Sequence, residues 1–172
     1  MDPKPLAARK NLHVVLVEPE IPWNTGNVGR TCLAAGARLH LVRPLGFSLE
    51  TRHLRRAGLD YWRHVEPRIW PGWSAFEEAL PELGQPFFFS AEAEVDYWRP
   101  RYPEATVLIF GRESAGFSAE TRRRYAENLV RVPMLVGPVR SLNLSTTSAL
   151  AVYEVLRQWR GDGRATRAYS EG

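Results

Sequence analysis

A chain of 172 residues with 44% hydrophobic content can bury one core of ordinary size, and we read residues 1–172 as one domain with its core over about 12–160 and a polar tail over 161–172. The single cysteine, Cys32, excludes an internal disulfide, no Cys/His spacing resembles a zinc site, and no stretch is long and apolar enough to span a membrane, so a cytoplasmic protein without a metal is expected. The net charge of +4 is carried almost wholly by arginine, the lysines being Lys4 and Lys10, and planar guanidinium suits phosphates and base faces better than ammonium does.

The first element in chain order is Leu12-His-Val-Val-Leu-Val17, a β-branched run of the buried parallel-strand type. Asn24 or Thr25 can cap the helix that follows, which ends near Gly36 because glycine tolerates a left-handed turn. Arg38-Leu-His-Leu-Val42 reads as a second strand, residues 52–56 as a short basic helix, and Ser74 as the cap of a helix through Leu80. Pro86-Phe-Phe-Phe-Ser90 and Thr106-Val-Leu-Ile-Phe110 are further strands. Ser118 caps a helix to about Tyr125, and Asn128-Leu-Val-Arg-Val132 is the last strand. The final helix, capped by Asn143, lines up Leu144, Ser148, Ala151, Val152, Val155, Leu156 and Trp159 on one face until Gly161. Alternation of strand and helix predicts an α/β fold, a parallel sheet covered on both faces.

Three segments of ligand-binding character lie beyond strands. Asn24-Thr-Gly-Asn27 with Arg30 places Asn27 and Arg30 on neighbouring positions of one helical face, suited to a phosphate or ribose hydroxyl, although a plain capped helix with a solvated arginine has the same pattern. In Phe110-Gly-Arg-Glu-Ser-Ala-Gly116 the glycines let backbone approach a ligand, and Glu113 is either a solvated acid or one that fixes the loop. Val132-Pro-Met-Leu-Val-Gly-Pro-Val-Arg-Ser-Leu-Asn-Leu-Ser145 is a Pro/Gly-broken run with a cation and hydroxyls leading into a helix. The first strand runs into Glu18-Pro-Glu-Ile-Pro22 and the second into Arg43-Pro44, which argues against a dinucleotide fold. Neither a triphosphate-binding Gly-x-x-x-x-Gly-Lys loop nor a Gly-x-Ser-x-Gly elbow is present. The histidines, His13, His40, His53 and His64, are scattered and read as structural or exposed.

Taken together and in this order, the three segments resemble the motifs of the SPOUT family of S-adenosylmethionine-dependent RNA methyltransferases, over residues 12–159. Glu18-Pro-Glu-Ile-Pro22, Pro44-Leu-Gly-Phe47 and Leu54-Arg-Arg-x-Gly-Leu-Asp-Tyr61 are similar to the tRNA (cytidine(34)-2′-O)-methyltransferase branch. The resemblance implies a parallel sheet flanked by helices, with the C-terminal segment threaded into a deep trefoil knot, an exception to the usual absence of knots. It implies S-adenosylmethionine as cofactor, S-adenosylhomocysteine as its product, and no metal. A tRNA anticodon loop is the implied partner, together with a homodimer whose active site forms at the subunit interface. By the same resemblance, Arg30, Arg140, Asn27 and Tyr153 fall at catalytic or supporting positions. Ser90, Gly111, Glu113, Val132, Met134, Ser141, Leu142 and Asn143 fall at cofactor positions.

Methyl transfer to a ribose 2′-oxygen calls for alignment and stabilisation of growing negative charge, and a guanidinium with a pKa above about 12 is a poor base, so Arg30 is expected to orient the 2′-oxygen and the adjacent phosphate. Arg52, Arg55 and Arg56, on one face if helical, and Arg63 soon after, are expected to meet tRNA phosphates; a solvated helix face is the alternative. The chain departs from the family pattern at Gly29, Arg112, Phe117-Ser118, Thr146 and the loop 90–94, which lacks the usual Thr/Lys/Gly character. Gly29 disfavours a helix unless something packs closely against it. Two further readings stand beside wobble methylation: 2′-O-methylation of another tRNA or rRNA nucleotide, and a non-catalytic RNA-binding relative.

Overall fold

The computed structural model describes residues 11–49 and 60–161. Strands β1 (Leu12–Val17), β2 (Arg38–Val42), β3 (Arg68–Trp70), β4 (Gln85–Phe89), β5 (Thr106–Phe110) and β6 (Leu129–Val130) form one parallel sheet in the order β3-β2-β1-β5-β4-β6. The flanking helices are α1 (Pro22–Ala35), α2 (Trp73–Leu83), α3 (Ala119–Arg124) and α4 (Leu144–Gly161).

The strands are apolar throughout because both faces of the sheet are covered. On one face Leu12, Val14, Leu16, Leu108 and Phe110 pack under α1 and α4 through Val28, Cys32, Ala151, Val152, Val155 and Trp159. On the other, Val15, Val107, Ile109 and Phe88 meet Phe76 and Leu80 of α2 together with Phe117. Burying each large apolar side chain contributes about 1.5–3 kcal/mol, so the two-residue alternation fixes which side of each strand faces which pair of helices. The expected buried face of the last helix is this interface, with Leu144 and Leu156 partly covered at its margin.

His13 and His40 belong to the α2 side, both buried, with His13 Nδ1 2.9 Å from His40 Nε2. Trp70 Nε1 donates to His40 Nδ1 at 3.1 Å. An indole nitrogen can only donate, so His40 Nδ1 accepts, its Nε2 carries the proton, and that proton points at His13. Burial holds His40 down to about 3 from its ordinary 6.5, reinforced by His13, Arg68 and Arg38.

Several local expectations are corrected. Ile21, not Asn24 or Thr25, is the N-cap of α1, because the helix starts at Pro22, whose missing N–H is not needed there. Its C-terminus is as expected: Gly36 has φ 67°, its N–H reaches Leu33, and the N–H of Ala37 reaches Cys32. Gly72, not Ser74, caps α2, which continues through Pro81 to Leu83; near the end of a helix the proline removes only one donor. Residues 68–70 form an edge strand too short for alternation to signal, and β6 covers only two of the five residues expected, since Arg131 bridges to Asp96 instead. The expected basic helix over 52–56 lies outside the described residues.

Candidate active site

The chain leaves β1 toward β2 on one side of the sheet and leaves β5 toward β6 on the other, so the carboxyl ends of these adjacent strands open a crevice. A cavity of about 680 Å³ lies there. Its walls are Ile21 and Asn24 from the start of α1, residues 90–92 beyond β4, residues 111–117 beyond β5, and Val132 with residues 140–144 before α4. All three motif segments therefore meet at one place.

Side-chain bonds join them. Glu113 accepts from the backbone N–H of Glu20 at 2.8 Å and of Ile21 at 3.2 Å, and from Asn24 Nδ2 at 3.2 Å. Asn24 Oδ1 in turn accepts from Asn143 Nδ2 at 2.9 Å, while Asn143 Oδ1 caps α4 by accepting from the N–H of Ser145 at 2.9 Å. One chain of bonds thus runs from the loop after β5, through α1, to the start of α4. Glu113 resolves as an acid that fixes loops, and its charge lies favourably at the positive end of α1. A second carboxylate reciprocates: Glu20 accepts from Ser114 N and Oγ, each at 2.8 Å. The backbone N–H of Ser114, more than its hydroxyl, holds the Glu20 carboxyl below its usual range.

The glycines of the middle segment are needed by geometry. Gly116 has φ 62° and exchanges backbone hydrogen bonds with Arg112, and a Cβ on Gly111 would lie 2.5 Å from the Gly116 carbonyl carbon. A Cβ on Gly116 would meet nothing within 4 Å, so this turn presents open space lined by backbone. Among the described residues Arg112 is paired with Glu18, Arg122 with Glu92 at 3.1 Å, and Arg140 has no carboxylate within ion-pair distance.

Of the residues singled out in the sequence, Ser90, Gly111, Glu113, Val132, Arg140, Ser141, Leu142 and Asn143 line this cavity. Met134 is half-buried and does not. Asn27 and Arg30 lie farther along α1 and are exposed, with the Arg30 guanidinium 4.6 Å above the Tyr61 ring. Tyr153, 54% exposed, lines a separate apolar hollow with Tyr97, Leu150 and Arg157. Arg63 is exposed and its Nε lies 3.0 Å from His64 Nε2, while Arg52, Arg55 and Arg56 lie outside the described residues. Asn24, Glu92 and Arg122 were missed as wall residues. Asn24 stands in the first motif segment, where its position reads as a helix cap, and no local spacing reveals that Glu92 and Arg122 meet. Among the described residues no group of three His, Cys, Asp or Glu side chains could hold a metal, and no helix is long and apolar enough to cross a membrane.

The family model for the SpoU rRNA methylase family matches residues 11–153. The chain belongs to this family. It is 44% identical to a tRNA (cytidine(34)-2′-O)-methyltransferase of Burkholderia pseudomallei, with 89% of this chain and 99% of that one covered. A solved structure described as giving insight into 2-OH methylation of C/U34 on tRNA is 49% identical, with a TM-score of 0.80 over 87% of this chain and 97% of that one. An rRNA methyltransferase of Sinorhizobium meliloti, solved with S-adenosylmethionine bound, is 26% identical, with a TM-score of 0.69 over 85% of this chain and 56% of that one. The six-stranded parallel sheet and flanking helices are those of SpoU methyltransferases.

Proposed function

We propose that this protein transfers a methyl group from S-adenosylmethionine to the ribose 2′-oxygen of nucleotide 34, a cytidine or modified uridine, in the anticodon loop of tRNA. The observation that carries the reading is the joining of three family motifs around one cavity by the Asn143–Asn24–Glu113 chain. Relatives named for this reaction cover nearly the whole chain.

The wall residues fit the methyl donor. The Gly111–Gly116 turn offers backbone groups beside open space at Gly116, Val132 and Leu142 offer apolar walls, and Ser90 and Ser141 offer hydroxyls. Bound there, S-adenosylmethionine supplies a methyl group on a positively charged sulfur. The chain's own residues must then hold the 2′-oxygen in line and offset the charge growing on it. Arg140, a cation without an acidic partner at the cavity, is assigned the second task. Arg30, whose guanidinium offers donors and no acceptor, orients the 2′-oxygen and adjacent phosphate with Asn27 beside it, and the proton leaves to phosphate or water.

Arg30, Asn27 and Tyr153 lie outside the cavity of their own subunit, which supports a homodimer in which a second copy brings them to it. Exposed apolar side chains favour such pairing: Trp23 and Leu33 on α1, Leu150 and Tyr153 on α4, and Leu135 and Val136 between β6 and α4. The segment from β6, at the sheet edge, returns to the central crevice where Asn143 bonds Asn24, a path in keeping with the family's trefoil knot. A cytoplasmic location follows from a tRNA substrate.

The test is incubation with labelled S-adenosylmethionine and bulk tRNA lacking its own modifications, with the methyl mapped by nuclease digestion and mass spectrometry. A 2′-O-methyl at nucleotide 34 is expected. Label elsewhere would replace the target and keep the reaction class.

A further inference from the structure

Glu92, in the loop after β4, and Arg122, in α3, face each other on the cavity wall. Arg122 Nε is 3.1 Å from Glu92 Oε2, and Arg122 Nη1 also donates to the Phe117 carbonyl at 2.8 Å. The two are held unequally. Arg122 is anchored, with its side chain 30% exposed, whereas that of Glu92 is 67% exposed and free to turn. An ion pair so open to water is cheap to separate.

Other charges on this wall are committed. The Glu113 oxygens accept three N–H donors, and Arg112 pairs with Glu18. Arg140 is assigned to the transition state. The methyl donor ends in an α-amino acid, an ammonium and a carboxylate on one carbon, and neither charge finds its opposite among the hydroxyls and backbone groups of Ser90, Gly111 and Ser141. Among the described residues, Glu92–Arg122 is the ion pair whose two members both line this wall. Its acidic member, Glu92, also lies in the loop 90–94, where the chain departs from the family pattern.

We propose that Glu92 and Arg122 form a clamp for the amino-acid end of the methyl donor, resting on the reading of the cavity as the donor site. Arg122, kept in place by Phe117, receives the carboxylate with its planar fork, and Glu92 turns from Arg122 to the ammonium. The exchange conserves charge, since one ion pair opens and two form. Without donor, the pair satisfies itself.

Calorimetric titration with S-adenosylhomocysteine and with 5′-methylthioadenosine, which keeps the adenosine and sulfur but lacks the amino acid, separates this clamp from a general effect on the cavity. Glu92→Gln and Arg122→Leu are each expected to weaken S-adenosylhomocysteine about tenfold and to leave 5′-methylthioadenosine within about twofold. Arg122→Lys, which keeps the charge but not the fork, should fall between. Melting temperatures close to that of the unaltered protein exclude a folding defect. Equal weakening of both ligands, or of neither, overturns the clamp. Failure of the unaltered protein to bind either ligand overturns the donor site itself, and the clamp with it.

Discussion

At Glu113 two oxygens meet three donors, from Glu20, Ile21 and Asn24, and nothing but a carboxylate can accept from all of them. Glu113→Gln turns one acceptor into a donor facing other donors, so we expect a loss of about 1–3 kcal/mol, read as a lower urea midpoint, together with weaker binding of S-adenosylhomocysteine as the loops loosen. Gly29 is a second residue whose identity is set by a neighbour. A Cβ there would sit 2.8 Å from Trp62 Cζ3 and 3.2 Å from Val65 Cγ2. Gly29→Ala gains up to about 1 kcal/mol of helix propensity but overpacks a rigid indole at about 1–3 kcal/mol, and a net fall in melting temperature is expected. The sequence raised the question by placing glycine inside a helix. The indole that answers it lies more than thirty residues away.

Elements whose identity depends on local chemistry were legible in the chain itself. The apolar runs of β1 and β5, the glycine end of α1 and the Ser118 and Asn143 caps stand where the sequence placed them. β3 was not legible, because three residues carry no period and its strand character comes from pairing with β2, whereas the last strand was legible in place but not in length, since β6 pairs with β4 only at Leu129 and Val130 before Arg131 bridges to Asp96. The site divides in the same way: its motifs could be read, but the bonds between Asn24, Glu113 and Asn143 span up to 119 positions. The histidine pair is likewise a product of strand register, since β1, β2 and β3 bring His13, His40 and Trp70 together. It carries a pH prediction. The folded protein keeps His40 neutral down to about pH 3, while the unfolded chain protonates near 6.5, so the unfolded state binds more protons between these values. Stability is full above pH 6.5 and falls with pH through that window, by at most about 1.4 kcal/mol per pH unit from this group. The lowered carboxyls of Glu20 and Glu154 act mainly below their ordinary 4.5, so the interval from 6.5 to 4.5 reads the histidine. Urea unfolding across that interval should show the slope, and His40→Phe should flatten it; an equal slope in both would assign the effect elsewhere.

For the proposed homodimer the decisive question is which copy's Arg30 serves which cavity. Arg140 is on the wall of its own cavity, whereas Arg30 sits about 1.7 turns beyond Asn24 along α1, roughly 9 Å away at the rise of a helix. If each cavity takes Arg30 from the second copy, Arg30→Ala and Arg140→Ala subunits are each inactive as homodimers. A mixed dimer then has one cavity lacking both arginines and one holding both. Mixing the two inactive variants under exchange conditions is therefore expected to restore methyl transfer, with one working site per mixed dimer. If both arginines acted within one subunit, every cavity in the mixture would lack one of them, and activity would stay lost. A variant with Leu150→Asp, which places a charge on the exposed face of α4, supplies the companion measurement. It should sediment as a monomer and lose transfer while its circular dichroism is unchanged, because α4 buries its opposite face, through Ala151, Val155 and Trp159, within its own subunit.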